Sequence, residues 1–269
     1  MRLFLFNGFC IILFRIMDIA VCICQVPDPA IAVSVIDGTP ALERVAWVMN
    51  PYDEYALEEA LRFRERFPGS VVAVITITSG SAREILQKAL ALGADRAVEV
   101  RTDAPLQDCF QTASVLAGAL RSLYGSALPQ VVFCGRESLD YQHGSVPGML
   151  ACMLGMGFSG PVTSLRTDGE LLELERETEG GVEYLEARYP IVLSAEKGLN
   201  TPRKTGIRQV MEARKKPIET LHADDVPGPL VRSGRFEAVS AKKECRFFSS
   251  PEELAGVLQQ DGLLHLGRR

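Results

Sequence analysis

The sequence predicts an α/β fold: a mostly parallel sheet with helices on both faces, extended by an antiparallel hairpin and followed by a C-terminal arm. Three observations predict it. From Met17 to Leu154 short β-branched runs alternate with segments of helical spacing, the rhythm that crossover connections impose on parallel strands. From Val162 to Ser194 the pattern changes to alternating runs separated by Asp168-Gly169 and Gly180-Gly181, which are hairpin signals because Gly tolerates positive φ. From Leu221 onward periodicity fades into Pro- and Gly-containing chain.

Taken in order, Met1–Ile16 is an apolar leader bounded by Arg2 and Arg15, shorter than the about 20 residues a membrane-spanning helix needs. No small-residue cleavage motif follows it. Met17 is therefore read as the biological start, with a membrane-associating tail as the alternative. Ile19–Cys24 reads as the first core strand and Gln25–Asp28 as a loop. A helix is expected over Asp53–Phe67, where Tyr55, Ala56, Ala60, Phe63 and Phe67 make one stripe. Asn50 or Asp53 supplies its cap signal and Pro68-Gly69 its end. Strands follow at Val71–Thr76, Ala97–Val100 and Val131–Gly135, with helices at Ala82–Leu92, Asp108–Tyr124 and Pro147–Leu154 between and after them. The hairpin strands are Leu171–Glu177 and Val182–Arg188, and Pro190–Ser194 is a short buried strand. Asn200–Gly206 is a surface loop, after which Ile207, Val210, Met211 and Arg214 resume helical spacing. Ser249-Ser250-Pro251-Glu252-Glu253 reads as a capped helix start with Pro at the first position. Residues 17–220 form one α/β domain and 221–269 an arm with a short helix.

Composition narrows the function classes. With 269 residues, 47% hydrophobic and 23% charged, the chain can bury a core of one large domain. A net charge of -5 argues against nucleic-acid binding, which a basic stripe usually serves. Seven cysteines, mostly inside apolar runs, point to a reducing cytoplasm and small hydrophobic packing rather than a disulfide framework. Cys22-Ile23-Cys24 has no second Cys or His pair at metal spacing, so no metal site is expected. Only His143, His222 and His265 are present, and a hydrolase triad is not expected.

In a parallel sheet ligands sit beyond the carboxyl ends of strands, which makes the loops 24–29, 50–53 and 135–147 the informative ones. Gly135-Arg136-Glu137-Ser138-Leu139-Asp140 leaves a buried strand and leads through Val146-Pro147 into a helix, where backbone N–H groups and the helix dipole can hold phosphate. It carries neither G-x-G-x-x-G nor a Walker lysine, and an ordinary β–α loop is the competing reading. Arg203, Lys204, Arg208, Arg214, Lys215 and Lys216 form a basic cluster, either a solvated face or a partner contact.

Arg176-Glu177-Thr178-Glu179-Gly180-Gly181-Val182-Glu183-Tyr184-Leu185 followed by Pro190-Ile191-Val192-Leu193-Ser194 resembles the signature of electron transfer flavoprotein beta subunits, departing from it at Leu174. Val21-Cys22-Ile23-Cys24-Gln25-Val26-Pro27-Asp28, Asn50-Pro51-Tyr52-Asp53-Glu54, Ala89–Ala97 and the Gly135–Asp140 loop are similar to that family in order and spacing, from Met17 to about Asp224.

The resemblance implies an adenine-nucleotide-binding type of α/β fold and a cytoplasmic electron carrier, the beta subunit of a heterodimer. FAD is expected mainly in the alpha subunit, with AMP or a second FAD in this chain. Dehydrogenases would donate electrons and a downstream acceptor receive them, with neither nucleic acid nor membrane involved. The nucleotide site would comprise Cys22, Asn50, Pro51, Tyr52, Asp53 and Ile77, with Gly135, Arg136, Glu137, Ser138, Leu139, Asp140, Tyr141, Gln142, His143, Gly144, Ser145 and Val146. Main-chain groups and Asp140 are the expected hydrogen-bond partners, and Ile77 the adenine-pocket lining. Cys24, Ser145 and Pro147 depart from the family pattern of a basic residue, Gln and Gly; Ser145 is expected to compensate for Pro147 as an N-cap. Ile207 falls at the family's apolar docking anchor, flanked by Arg203 and Arg208, and Glu212 stands where Lys is common. No catalytic residue is implied. The alternative is a nucleotide-binding regulatory module of the same fold without electron transfer; a small-molecule enzyme is disfavoured by the missing acid–base set.

Overall fold

The computed structural model describes residues 16–43, 45–239 and 245–264, together with the backbone of 2–6 and 9–13. Nine strands make one sheet: β1 (Asp18–Cys22), β2 (Val71–Thr78), β3 (Arg96–Arg101), β4 (Val131–Gly135), β5 (Gly157–Thr167), β6 (Leu171–Thr178), β7 (Gly181–Arg188), β8 (Ile191–Ala195) and β9 (Glu219–His222). Their spatial order is β7-β6-β5-β8-β4-β1-β2-β3-β9. Every pairing is parallel except β5 with β6 and β6 with β7. The helices are α1 (Pro51–Arg66), α2 (Arg83–Leu92), α3 (Cys109–Tyr124), α4 (Val146–Leu154), α5 (Ile207–Ala213) and α6 (Pro251–Gln260). The fold is the expected α/β class.

Strand periodicity sorts the core into two layers. Ile19, Val21, Val72, Val74 and Phe133 pack with α1 and α2, and Phe63 of α1 meets Phe133 edge-on at 5.6 Å between ring centroids. Ala20, Cys22, Ile75, Val98, Val132 and Cys134 pack with α3 and α4. The central strands are apolar on both sides because both faces are covered.

The chain runs β1-α1-β2-α2-β3 toward one edge, then returns through α3 to place β4 on the other side of β1. The loops after β1 and β4 therefore diverge to opposite faces, which opens a crevice at the carboxyl ends of those two strands.

Several boundaries differ from expectation. The first strand ends at Cys22 instead of Cys24, and Gln25–Pro27, expected as loop, pairs antiparallel with Trp47–Met49. The hairpin turn is Glu179-Gly180 with Gly180 at φ +90, while Gly181 has joined β7 and pairs with Thr178. Glu219–His222 adds a ninth strand beside β3; its four residues carry no alternation that would announce it.

Two compact units divide the chain: Met1–Val33 with Ala41–Gly234, and Ser34–Pro40 with Arg235–Arg269. The second contains a two-residue ribbon, Val35–Ile36 with Thr39–Pro40, whose Gly38 carbonyl accepts from Phe236 N at 2.9 Å. In it Ser250 caps α6 as expected, accepting from Glu253 N at 3.2 Å. The leader expected over 1–16 pairs its backbone as a hairpin, Arg2–Phe6 with Phe9–Leu13; its side chains before Ile16 lie outside the described residues. Among the described residues no helix is long and apolar enough to cross a membrane.

Candidate functional site

The crevice between β1 and β4 is closed at its base by two side chains from the start of α1. One or the other was expected as the helix cap. Asn50 occupies the N-cap position yet makes no side-chain cap bond: its Nδ2 donates to Glu137 O at 2.9 Å and its Oδ1 accepts from Leu139 N at 3.2 Å. Asp53 accepts from Cys24 N at 2.7 Å through Oδ2 and from Gly135 N at 3.0 Å through Oδ1. With Asn50 N donating to Cys24 O at 2.9 Å, three chain segments far apart in sequence are knotted together. The approach is close enough to demand glycine: a Cβ on Gly135 would lie 2.3 Å from Asp53 Oδ1 and 2.8 Å from Tyr52 Cβ.

Burial governs the electrostatics of this knot. Taking the Asp53 carboxyl out of water pushes its pKa up to about 7, against the lowering effect of the Cys24 and Gly135 N–H groups and the Asn50 side chain. Cys22 and Cys134 are register partners on adjacent strands; the hydrogen bond that the Cys134 thiol donates to Cys22, then burial, holds the Cys134 thiol well above its usual range. Among the described residues no group of three His, Cys, Asp or Glu side chains is arranged to hold a metal ion; His265 lies outside those residues.

The structure brings Cys22, Asn50–Asp53 and the 135–146 loop to the same end of the sheet, with Ile77 two residues past Ile75, the neighbour of Cys22, and partly buried against the α3–α4 layer. From Asp140 to Ser145 the loop is exposed. Gln142 and Gly144 have positive φ of 54 and 62, and the Tyr141 and His143 rings stack at 6.0 Å. Ser145 is the N-cap residue of α4 but does not cap it: its Oγ donates to His143 O at 3.1 Å, so it replaces no donor that Pro147 removes. Arg136 is committed to Glu196 at 2.7 Å, with Glu137 at 3.8 Å. Backbone N–H groups of the loop and the exposed Tyr141 and His143 side chains are the groups that could meet a ligand here, and a helix N-terminus such as that of α4 favours phosphate.

Of the expected docking residues, Ile207 and Arg208 lie on α5, which packs through Ala213 and Val210 into the α1–α2 layer, and Arg203 lies in the irregular stretch before it. Ile207 is 88% exposed and Met211, one turn on, 54%. Arg208 pairs with Glu212 along the helix at 2.8 Å. Arg203, expected at the partner surface, turns inward: its guanidinium meets Glu58 at 2.7 Å and Glu65 at 2.7 Å.

Sequence reasoning missed the other half of that contact. Glu58 and Glu59 are each 4% exposed within α1, although charged residues are seldom buried unpaired. Burial alone would raise Glu58, but bonds from Arg203 and Arg62 outweigh it and hold its carboxyl below the usual range; burial raises Glu59, partly offset by Asn200. The available signal was a carboxylate pair sitting between Ala56 and Ala60 of the apolar stripe.

The family model described as "Electron transfer flavoprotein domain" matches residues 39–226. The electron transfer flavoprotein subunit beta of Bacillus subtilis is 32% identical over 216 residues, covering 80% of this chain and 80% of that protein. The subunit of the same name from Clostridium acetobutylicum is 34% identical over 213 residues, covering 78% and 80%. Protein FixA of Bradyrhizobium diazoefficiens is 36% identical over 214 residues, covering 76% and 73%.

Proposed function

Because this chain belongs to the electron transfer flavoprotein family, we propose that it is the beta subunit of a heterodimer carrying electrons from dehydrogenases to a downstream acceptor through FAD held mainly by an alpha subunit. It is an electron-transfer subunit, not a self-contained catalyst. The observation that carries the reading is the family match across 39–226, which spans Asn50–Asp53, the loop after β4 and the exposed α5.

FAD, when bound, supplies the redox chemistry. The work of this chain is to bind, orient and dock. In this reading residues 17–220 are the nucleotide-binding domain and 221–269 an arm. The crevice takes an adenine nucleotide, with Cys22, Asn50–Asp53, Ile77 and the 135–146 loop around it, and the bound species is AMP or a second FAD. Both share the adenosine phosphate that a backbone donor set recognises. Ile207, with Met211 beside it, is the apolar anchor for partner proteins, in keeping with the concentration of interface energy in a few apolar side chains ringed by polar ones. The setting is cytoplasmic.

Co-expression with a neighbouring alpha-subunit reading frame tests the reading. The expected product is a yellow heterodimer that releases FAD on acid extraction, together with AMP or a second equivalent of FAD. A colourless complex, or no partner at all, favours the regulatory module instead. Flavin reduction by a donating dehydrogenase should slow in Ile207→Ala and change in Glu212→Lys; unchanged rates in both would remove α5 from the docking surface.

A further inference from the structure

We propose that Glu58 and Arg203 form a clamp that positions the α5 segment for docking, so that a buried carboxylate on α1 sets how Ile207 is presented. The proposal rests on α5 being the docking segment.

The segment needs an external hold. Residues 201–206 have no regular secondary structure and lead into a helix of 7 residues, too short to be stable alone in water. Within that helix only Ala213 is buried. Left to itself, such a segment samples many poses, and ordering them on partner contact weakens binding.

The hold is present and specific. Both carboxylate oxygens of Glu58 face Arg203: Oε2 accepts from its backbone N at 3.1 Å and from Nε at 2.7 Å, and Oε1 accepts from Nη2 at 3.1 Å. Arg62 Nε completes Oε1 at 2.9 Å. The remaining guanidinium nitrogen, Nη1, donates to Glu65 at 2.7 Å. Three residues earlier, Asn200 Nδ2 donates to Tyr55 O at 2.9 Å and to Glu59 at 3.0 Å. The planar fork of Arg fixes orientation as well as distance, which a Lys ammonium does not. The bond from the Arg203 backbone also fixes main chain, four residues before Ile207. A surface ion pair would confer little; a carboxylate buried in a helix and bonded to loop backbone is a registration device.

The test uses the intact alpha–beta heterodimer with Arg203→Lys and Glu58→Gln, two changes that keep side-chain volume. Amide hydrogen exchange over 203–211 should accelerate about tenfold in both, while flavin content and thermal midpoint hold. With the dehydrogenase that reduces the wild-type heterodimer, KM for the heterodimer should rise several-fold with kcat unchanged, and Ile207→Ala should add less to KM in the Arg203→Lys background than alone. Faster exchange with unchanged KM, or equal losses in KM and kcat, would overturn the positioning role. In the wild type, the Arg203 amide should exchange at least tenfold more slowly than those of Lys204 and Thr205; equal rates would overturn the clamp without any variant. These exchange readouts stand even if no dehydrogenase reduces the heterodimer, so the clamp and the docking reading fail separately.

Discussion

Asp53 carries the most consequence of any single residue near the crevice. Its carboxyl ties Cys24 to Gly135 and burial lifts its pKa to about 7. A carboxyl raised in the folded state binds a proton that the unfolded chain has released between about pH 4 and about pH 7, so its contribution to stability is present at low pH and lost as pH rises through 7. The limiting slope is about 1.4 kcal/mol per pH unit. Comparing urea unfolding of the wild type and Asp53→Asn across that range should show this component in the former alone; parallel curves would refute it. The groups facing it are Cys24, Asn50 and Gly135, whose hydrogen bonds to the carboxylate all oppose the rise and are outweighed by burial. At Gly135 the steric argument gives a second expectation: Gly135→Ala should cost about 1–3 kcal/mol through forced displacement of the α1 start, read as a lower urea midpoint, with loss of co-purifying nucleotide. Sequence reading placed Asn50 and Asp53 near a ligand and also took one or the other for the helix cap. The first expectation came from the carboxyl-end rule and from resemblance; the second holds for the position of Asn50, the N-cap residue of α1, but not for side-chain capping, because a cap bond is inferred from neighbours in sequence, whereas Glu137, Leu139 and Gly135 lie more than 80 residues away.

Helix α3 shows how one cap can serve two elements. Asp108 accepts from Gln111 N at 2.8 Å through Oδ1, while Oδ2 accepts from Leu230 N and from Val231 N at 2.9 Å. Gln111 Nε2 adds a bond to Pro227 O at 2.7 Å. Asp108→Ala should therefore cost about 1 kcal/mol as a lost cap and also release the chain near 230, so that the Leu230 and Val231 amides exchange at the rate of free loop. Asp108→Asn keeps one acceptor for the helix and should preserve most of the stability while still weakening the second contact. A helix destabilised with the 230–231 amides still protected would show the tail held by other means. The element pattern itself was largely legible: α1 to α4 and seven of the strands from β1 to β8 stand within a few residues of the positions read from alternation and spacing, whereas β5 begins at Gly157, five residues before the alternation read from Val162. What escaped were short pieces ordered by neighbours. β9 is paired through β3, and Gln25–Pro27 through Trp47–Met49. The Gly pair at 180–181 pointed to the right turn, but only Gly180 has the positive φ that requires glycine.

The α/β rhythm fixes the class of the molecule but not the order of its strands. Nothing in the sequence says that β8 inserts between β4 and β5, or that β4 returns to the far side of β1, because these are choices of packing among equally apolar strands. Yet that return decides which loops meet at the carboxyl ends of β1 and β4, a level of structure the alternation does not encode, although the carboxyl-end rule for parallel sheets already singled out loops 24–29, 50–53 and 135–147. The two apolar layers also draw all their buried residues from the unit spanning 41–234 and the chain up to Val33. None comes from the described residues of 235–264, and α6 buries no side chain, although Leu254 and Phe247 are 40% and 93% exposed. Buried apolar area sets most of the cooperative stability. Truncation after Gly234 should consequently leave a protein that unfolds cooperatively, with a thermal midpoint within about 4 °C of the full chain, the shift expected for up to about 1 kcal/mol at this size. The same truncation keeps Asp108 with Leu230 and Val231, so the α3 contact is retained. A broad, uncooperative transition in circular dichroism would show that the terminal unit stabilises the sheet. A sharp one, accompanied by weaker assembly with the co-expressed alpha subunit, would assign the exposed apolar residues of 235–264 to the partner.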